Sequence, residues 1–334
     1  MPEAHISTSR GPSALRWFAY FFFMGALGFA LVAKWMGDVF FLRLATEALI
    51  FGGLALSVDL LLGRVGLLPL GQALFFGLGA YVSALVLKEW SASFWLSLGV
   101  TLAVCALAGL VGGIIAIRAK GVYFALISFG LAQVVSKIVF NTRELGASDG
   151  IIGVPSVRVF PGVSSADPLG FFLVTLCIIL GLYAGLRYLI ETPMGRQLSA
   201  IRTNEHRVPF LGFDPWRFKL MAFVAAACIA GVSGALYPML RGFVSPELMF
   251  FQVSGNAVIN VIVGGTGTLI GPLYGSVLLT GLRSVVGSFT AHHQIIIGLL
   301  FVVVVILFPR GLIGYLGPLL ENRLNRPGRG QGAL

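Results

Sequence analysis

The chain has 334 residues, of which 57% are hydrophobic and only 11% are charged, and its mean hydropathy is +0.94. Soluble domains carry about a quarter charged residues, so this composition excludes a water-solvated globular protein and indicates a chain embedded in lipid. The net charge of +10 does not indicate nucleic-acid binding, because the basic residues stand singly between apolar runs and form no patch.

Ten apolar runs approach the roughly 20 residues that a helix needs to cross a hydrocarbon core. They predict an all-α fold, a polytopic membrane helix bundle of about 8–10 transmembrane helices. The third run contains Pro69, Gly71 and Gln72 and the eighth is short, so some segments are expected to be broken or re-entrant. The predicted spans are residues 15–33, 39–62, 66–87, 94–117, 121–140, 168–190, 220–240, 252–265, 269–286 and 292–308.

The basic residues predict which side of the membrane each loop occupies. If the N-terminal tail, residues 1–16, lies in the cytoplasm, then Arg64, the pair Arg118 and Lys120, and the five basic residues of segment 191–219 fall on the same side. Cytoplasmic loops carry an excess of Lys and Arg. Both chain termini are therefore predicted to be cytoplasmic.

The predicted organisation is one transmembrane domain, residues 17–316, between the cytoplasmic tails 1–16 and 317–334. Its two longest loops face opposite sides. The outer loop 141–167 is rich in Gly, Pro, Ser and Asp and is predicted to be a turn-rich docking loop. The inner loop 191–219 is polar, basic and helical in pattern.

Four amide side chains within the apolar spans are candidates for a translocation path, because polar groups at membrane depth face a bundle interior or a water-filled cavity. Gln72 lies in the broken third span, and Gln133 lies four residues before Lys137 on one helix face. Asn256 and Asn260 also share one face. For these two asparagines, lining of a path and hydrogen bonding between helices are equally open.

Asp59 is an acidic residue late in the second span, with Arg64 five residues further on. By the predicted topology it lies near the cytoplasmic end of that span. A structural pair with Arg64, an interfacial position and an ion-binding site are all open interpretations.

Three pairs of glycines stand four residues apart within apolar runs. Such spacing permits close approach of helix backbones in a membrane, so we predict a packing role for them. The pairs are Gly109/Gly113, Gly181/Gly185 and Gly271/Gly275.

Motifs for enzyme chemistry are absent from the sequence. There is no G-x-x-x-x-G-K-[ST] phosphate loop, no H-E-x-x-H helix and no Cys/His metal cluster. The three cysteines all lie in apolar runs, where they fit small hydrophobic positions. A transport role without a bound metal is expected, with the energy supplied by other proteins.

Segments in collinear order carry a family resemblance. They read GLLPLGQALFFGLGAYVSALV at 66–86, KGVYFALISFGLAQ at 120–133, GASDGIIGVP at 146–155, and GFVSPELMFFQVSGNAVINVIVGGTGTLIGPLYGS at 242–276 followed by GLLFVVVVILFPRGLIG at 298–314. Together they resemble the LivM-type permease subunits of bacterial branched-chain amino-acid ABC importers. The resemblance covers residues 45 to 314.

This resemblance implies a permease subunit in the bacterial inner membrane, for branched-chain or related hydrophobic amino acids. A second permease subunit would complete a heterodimeric pore, two cytoplasmic ATPase subunits would bind ATP and Mg²⁺, and a periplasmic substrate-binding protein would deliver the substrate. It implies no cofactor on this chain. In the outer loop, Ser148, Asp149 and Gly150 match the family's GGSDGI segment and are candidate docking residues for the binding protein.

The stretch MGRQLSAIRTNEHRVPFLGFDPWRFKLMAF, residues 194–223, is similar to the family's cytoplasmic coupling segment. The resemblance implies a short helix that docks into a groove on the ATPase, a known recognition mode. Pro209 departs from the family pattern and is expected to shorten or shift that helix. The alternative is an amphipathic loop on the lipid headgroups. The candidate coupling residues are Gly195, Arg196, Ala200, Arg202, Asn204, Glu205, Arg207 and Gly212.

Two alternatives concern the substrate and the energy source. Asp59, Arg64 and Pro69 replace residues usual in the family, and an aspartate at position 59 also resembles the urea and short-chain amide permeases. The alternative from a different class is an ion-coupled secondary transporter in which Asp59 binds the ion. That class predicts broken helices at corresponding positions of two repeated halves, and the sequence shows no convincing repeat.

Overall fold

Long helices form most of the chain in the computed structural model, which describes residues 13–90, 93–160, 163–289, 295–296, 298–299, 302, 306 and 311–315. Seven helical segments among them are long and apolar enough to cross a membrane. The all-α class and the polytopic bundle are therefore confirmed. The α-helices are α1 Ser13–Met36, α2 Val39–Asp59, α3 Gln72–Leu85, α4 Phe94–Ala116, α5 Val122–Asn141, α6 Pro168–Glu191, α7 Pro193–Asn204, α8 Pro215–Arg241, α9 Phe251–Gly264 and α10 Gly271–Phe289.

The helices reproduce the predicted spans in order. The first seven predicted spans coincide with α1 to α6 and α8, the seven long apolar segments. The eighth corresponds to α9, which has only 14 residues, and the ninth to α10, which has 19. The tenth predicted span, 292–308, and the two predicted tails fall largely outside the described residues.

The third predicted span is interrupted at its start. Helix α2 continues as a π-helical segment, Leu60–Val65, and ends at Gly66, whose positive φ of 80° caps it in the left-handed conformation. No helix forms over residues 66–71, where Pro69 has no backbone N–H to donate, and α3 then begins at Gln72. A Cβ on Gly71 would lie 2.1 Å from the carbonyl oxygen of Ser128, so this extended segment packs closely on α5.

Helix α8 lies at the centre of the bundle and packs closely on α3 and α4. A Cβ on Gly79 of α3 would lie 2.2 Å from the carbonyl oxygen of Gly231, and one on Gly234 would lie 1.9 Å from that of Phe76. Lipid is as apolar as the helices, so membrane bundles depend on such close van der Waals packing. The small residues therefore set the distance between α3 and α8.

Two of the three glycine pairs make the predicted close contacts. Gly109 and Gly113 of α4 face α8, and Gly271 and Gly275 of α10 face the carbonyl oxygens of α9. Gly181 and Gly185 of α6 make no such contact within the described chain, because no described atom lies within 4 Å of a Cβ placed at either position. The spacing alone does not show which side of a helix meets a neighbour.

The bundle has two ends, which we call the α7 side and the loop side. The α7 side carries α7, the π-helical end of α2, the α4–α5 connection and the α9–α10 connection. The loop side carries residues 142–167 and the α8–α9 connection, where β1, Ile151–Ile152, pairs antiparallel with β4, Phe243–Val244. A second small hairpin there joins β2, Arg158–Phe160, to β3, Val163–Ser164.

The close packing of α3 on α8 predicts the effect of Gly79→Ala. The added methyl group meets a backbone carbonyl that cannot rotate away, so we expect a loss of about 1–3 kcal/mol in the free energy of unfolding. Thermal unfolding of the purified chain in detergent measures the loss. The matched control is Gly181→Ala, which meets no described atom within 4 Å and should be neutral or stabilising. Equal behaviour of the two variants would contradict the packing described here.

Candidate functional site

Helix α7 presents one buried face and one exposed face. Gly195, Leu198 and Ile201 recur at a spacing of three residues and are buried, whereas Arg196 is exposed. A Cβ on Gly195 would lie 2.1 Å from the carbonyl oxygen of Ile190, so only glycine fits this tight turn between α6 and α7. The helix therefore lies flat against the end of the bundle.

The helix ends before Pro209, in agreement with the shorter helix that this proline predicts. Its last residue is Asn204, whose side chain accepts a hydrogen bond of 3.1 Å from the backbone N–H of His206. Two 3₁₀ turns follow, Glu205–Arg207 and Pro209–Leu211, and Gly212 closes them with φ of 79°. The candidate coupling element is thus a 12-residue helix followed by a compact turn.

The compact turn exposes large apolar side chains. Phe210 is 90% exposed and Leu211 is 66% exposed, while Val208 between the turns is buried. Arg207 and Arg217 flank this surface and are also exposed. Exposed aromatic residues with arginine neighbours are typical of the anchoring residues of protein interfaces.

Glu205 joins the end of α7 to two other parts of the bundle. Its carboxylate lies 2.6 Å from Nζ of Lys219 on α8 and 3.7 Å from Nζ of Lys120 in the α4–α5 connection. The Lys219 side chain is only 4% exposed, and a buried ammonium group without a partner is strongly destabilising. Glu205 is therefore an anchor of the loop, although sequence analysis grouped it with the coupling residues.

Arg202, in the last turn of α7, attaches this helix to α2. Its guanidinium group donates a hydrogen bond to the carbonyl oxygen of Gly63, which belongs to the π-helical end of α2. The stem of Arg202 covers Gly66, where an added Cβ would lie 3.2 Å from Arg202 Cγ. A hydrogen bond to a charged group contributes about 1.5–3 kcal/mol. A side chain predicted to contact an ATPase thus contacts the membrane bundle.

Asp59 binds the α9–α10 connection. The residue is fully buried, its Oδ1 accepts a hydrogen bond of 2.6 Å from the N–H of Gly267, and its Oδ2 accepts one of 3.0 Å from the N–H of Leu269. Among the described residues it forms no ion pair within 4.0 Å with Arg64 or Arg202, although both charges act on it electrostatically. Because both oxygens are already bound, the geometry favours a structural role over an ion site.

The loop side presents the predicted docking residues at a turn. Ser148 and Asp149 are exposed, and Ser148 Oγ lies 3.1 Å from Asp149 Oδ1. Gly150 adopts a positive φ of 72°, and a Cβ there would lie 2.0 Å from the carbonyl oxygen of Val244. This close contact and the β1–β4 pairing fix the turn to the end of α8.

A cavity of about 620 Å³ lies at the loop side, between the first half of α2, the end of α8, and α9 and α10. Asn256 and Asn260 both line it, as expected for a path. Gln72 and Gln133 do not line it. Gln72 is buried beside α5 with no hydrogen bond from its amide to a described residue, and Gln133 is half-buried on α5.

Sequence analysis missed the charged residues of this cavity. None of Arg43, Glu47, Arg241 and Arg283 was named there as a candidate for the path, yet all four line the cavity. Two signals were present in the sequence. Arg43 and Glu47 share a helix face at four-residue spacing, and Arg283 is a single charge inside an apolar span.

No described group of three or more His, Cys, Asp or Glu side chains is placed to hold a metal ion. Two polar regions of the described chain lie at opposite ends of the bundle. The α7 side presents an exposed apolar turn anchored to the bundle, and the loop side presents a charged cavity beside a fixed turn.

A family model and individual known proteins that resemble this chain point to the same family. Residues 40–305 match the family described as "Branched-chain amino acid transport system / permease component". The high-affinity branched-chain amino acid transport system permease protein LivM of Salmonella typhimurium is 30% identical over 325 residues, which cover 90% of this chain and 76% of the relative.

Two further relatives carry corresponding names. LivM of Escherichia coli is 29% identical over 83% of this chain and 71% of its own length. The probable branched-chain amino acid transport permease protein LivM of Methanocaldococcus jannaschii is 24% identical, over 64% of this chain and 67% of its own length. No solved structure shows significant similarity to the chain.

The bonding of Asp59 predicts that Asp59→Asn destabilises the protein. An asparagine keeps one acceptor but turns an NH₂ group toward the second backbone N–H, so we expect a loss of about 1–3 kcal/mol in the free energy of unfolding. Thermal unfolding of the purified chain measures it. The control is Asp38→Asn at the N-cap of α2, since asparagine caps a helix about as well as aspartate.

Two results would contradict this structural role. One is equal stability of Asp59→Asn and the parent protein. The other is stabilisation of the parent by added Na⁺ that disappears in Asp59→Asn, since that pattern indicates an ion site.

Proposed function

The chain belongs to the family of branched-chain amino acid transport system permease components, and we propose that it is one membrane-spanning subunit of an ABC importer for branched-chain or related hydrophobic amino acids. It forms half of the translocation path in the bacterial inner membrane, and a second permease subunit completes the pore. The observation that carries the proposal is the exposed apolar turn at Phe210, held rigidly against the bundle by Arg202 and Glu205.

The α7 side faces the cytoplasm in this proposal. Four arginines lie on the α7 side or in the turn beside it, as the positive-inside rule requires of a cytoplasmic surface. They are Arg196, Arg202, Arg207 and Arg217. The ten spans predicted from the sequence, an even number of crossings, then place both termini in the cytoplasm. The loop side, with the exposed residues Ser148 and Asp149, faces the periplasm and receives the substrate-binding protein.

Two cytoplasmic ATPase subunits supply the energy. ATP and Mg²⁺ bind to those subunits, because this sequence has no phosphate loop. The chain itself acts as a permease subunit and not as an enzyme, and it needs no cofactor of its own. Its contribution is a protein-binding surface on one side and a path for the substrate through the bundle.

Three contacts transmit the motion of the ATPases into the membrane. An ATPase groove holds α7 and the turn at Phe210, so its closure displaces them together. Arg202 passes this displacement to the end of α2, and Glu205 passes it to Lys219 at the start of α8. Asp59 links α2 to the connection between α9 and α10. Because α2, α8, α9 and α10 all line the cavity, the cavity responds to ATP binding, as alternating access requires.

The alternative functions receive less support from the geometry. The Asp59 carboxylate, which suggests urea or amide permeases and ion coupling, lies in the α9–α10 anchor and not in the cavity. An ion-coupled secondary transporter also leaves the exposed turn at Phe210 without a role. A loop lying on the headgroups would use the same apolar side chains, so a direct test of protein binding separates these cases.

Phe210→Asp tests the proposed ATPase contact. The Phe210 side chain is 90% exposed, so its replacement leaves the fold intact. A central aromatic contact contributes about 2 kcal/mol or more to an interface, roughly a 30-fold change in affinity. We therefore expect the ATPase to co-purify with the parent chain from mild detergent and to be lost from Phe210→Asp.

The matched control is Ile152→Asp, an exposed apolar residue on the loop side. It should retain the ATPase. Isolation of the parent chain without an ATPase, when all neighbouring subunits are expressed, would contradict the proposed function. Retention of the ATPase by Phe210→Asp would remove this turn from the interface.

A further inference from the structure

The cavity at the loop side has an unusual charge for a site within a membrane bundle. Arg43, Arg241 and Arg283 line it against a single acid, Glu47, so its lining carries a net charge of +2. Ionisable groups at membrane depth are costly unless they pair with a partner or face water, and they usually mark a functional path. The surplus of positive charge therefore needs a chemical explanation.

Within the described part of the chain, only one of the three arginines forms an ion pair. Arg241 Nη2 lies 2.5 Å from Glu47 Oε2. Neither Arg43 nor Arg283 makes an ion pair within 4.0 Å or a hydrogen bond with another described residue, although Arg283 feels the charge of Glu47. The sequence has no acidic residue between Glu247 and Glu321, so the last predicted span brings no counter-charge.

The remaining lining combines amide groups with apolar side chains. Asn256 and Asn260 make no side-chain hydrogen bond to a described residue, so each offers a donor and an acceptor to the cavity. Phe51, Val253 and Leu279 supply apolar surface beside them. The volume of about 620 Å³ lies within the range of pockets that bind small molecules.

We propose that this cavity is a binding site for the substrate within the membrane domain, and that it recognises the carboxylate of an apolar amino acid through Arg283. The α-ammonium group donates hydrogen bonds to Glu47 and to the side-chain amide oxygens of Asn256 and Asn260. The apolar lining contacts the side chain of the amino acid. Arg43, which is exposed at the mouth, attracts the carboxylate into the site.

The choice of a carboxylate follows from the chemistry of arginine. A guanidinium group binds a carboxylate through two parallel N–H···O bonds, and the half-buried Arg283 has no such partner within the described chain. A neutral amide offers no anionic group to pair with Arg283, whereas an amino acid places its carboxylate there and its α-ammonium group near Glu47. A lipid phosphate offers comparable chemistry, so the experiment has to separate these two anions. The inference rests on the proposed function for its class of substrate.

Protection of an introduced cysteine tests the site even for a weak ligand. Thr280 is half-buried, lines the cavity and lies one turn before Arg283. In the assembled transporter, with Cys105, Cys177 and Cys228 replaced by alanine, Thr280→Cys is labelled with a neutral maleimide. The labelling rate is measured with leucine, with leucinamide, which lacks the carboxylate, and with propionamide, in nanodiscs of phosphatidylcholine.

We expect leucine at ten times its half-protecting concentration to slow labelling roughly tenfold by mass action, and leucinamide and propionamide to have no effect. Arg283→Gln should raise the half-protecting leucine concentration roughly tenfold or more, because a charge-assisted contact is lost, and Arg283→Lys should restore part of it. The control Arg143→Gln removes an exposed charge outside the cavity and should leave protection unchanged.

Several results would overturn the inference. Equal protection by leucine and leucinamide removes the role of the carboxylate, and stronger protection by propionamide indicates an amide site. Slow labelling in nanodiscs with phosphatidylglycerol, without leucine protection in phosphatidylcholine, identifies a lipid anion. A cysteine labelled in the isolated chain but inaccessible in the complex places the cavity in the interface with the second permease.

The same preparations separate this inference from the proposed function. If Arg283→Gln and the parent both retain the ATPase but leucine protects neither, the chain is still a coupled permease and only the binding site is wrong. If neither retains the ATPase, the proposed function itself fails.

Discussion

The buried carboxylate of Asp59 is the interaction on which the α7 side of this protein depends. A buried charge is costly unless its hydrogen-bonding capacity is satisfied, and here both oxygens accept backbone N–H groups of the α9–α10 connection. That connection holds Leu269 at φ of +62°, a conformation that a leucine rarely adopts. Gly63 lies against Gly267, where a Cβ would come within 2.6 Å of the backbone, so α2 and the connection form one tight contact.

This contact places the proposed coupling surface and the cavity on the same set of helices. Arg202 binds the carbonyl oxygen of Gly63, one turn beyond Asp59, and so joins α7 to the contact. Helix α9, which leads into the α9–α10 connection, carries Asn260, and helix α10, which follows it, carries Arg283. Both residues line the cavity. A packed contact of this kind transmits a displacement because interiors are close-packed and deform little. The α7 side and the cavity are therefore joined by continuous packing through α2, α9 and α10.

Local signals in the sequence predicted the helices, but not the contacts between them. Apolar runs of about 20 residues define membrane helices directly, and Pro69 and Pro209 marked where a helix cannot continue. The sequence neighbour Arg64 suggested itself as the partner of Asp59, yet the carboxylate bonds to Gly267, 208 residues away. Likewise Glu47 pairs with Arg241, 194 residues away. The cavity draws its lining from four distant segments, so no local pattern could outline it, although the amides Asn256 and Asn260 pointed to its position.

The number of leucine molecules transported per ATP hydrolysed tests the central claim most directly. The complete importer is reconstituted in proteoliposomes with Arg202→Gln, and with Arg196→Gln as a control, because Arg196 is an exposed α7 arginine whose side chain forms no hydrogen bond or ion pair with a described residue. If Arg202 transmits the motion, Arg202→Gln keeps the ATPase bound and active but transports several-fold less leucine per ATP, and Arg196→Gln keeps the parent ratio. An unchanged ratio in Arg202→Gln would show that the contact with Gly63 does not couple the ATPase to the membrane path.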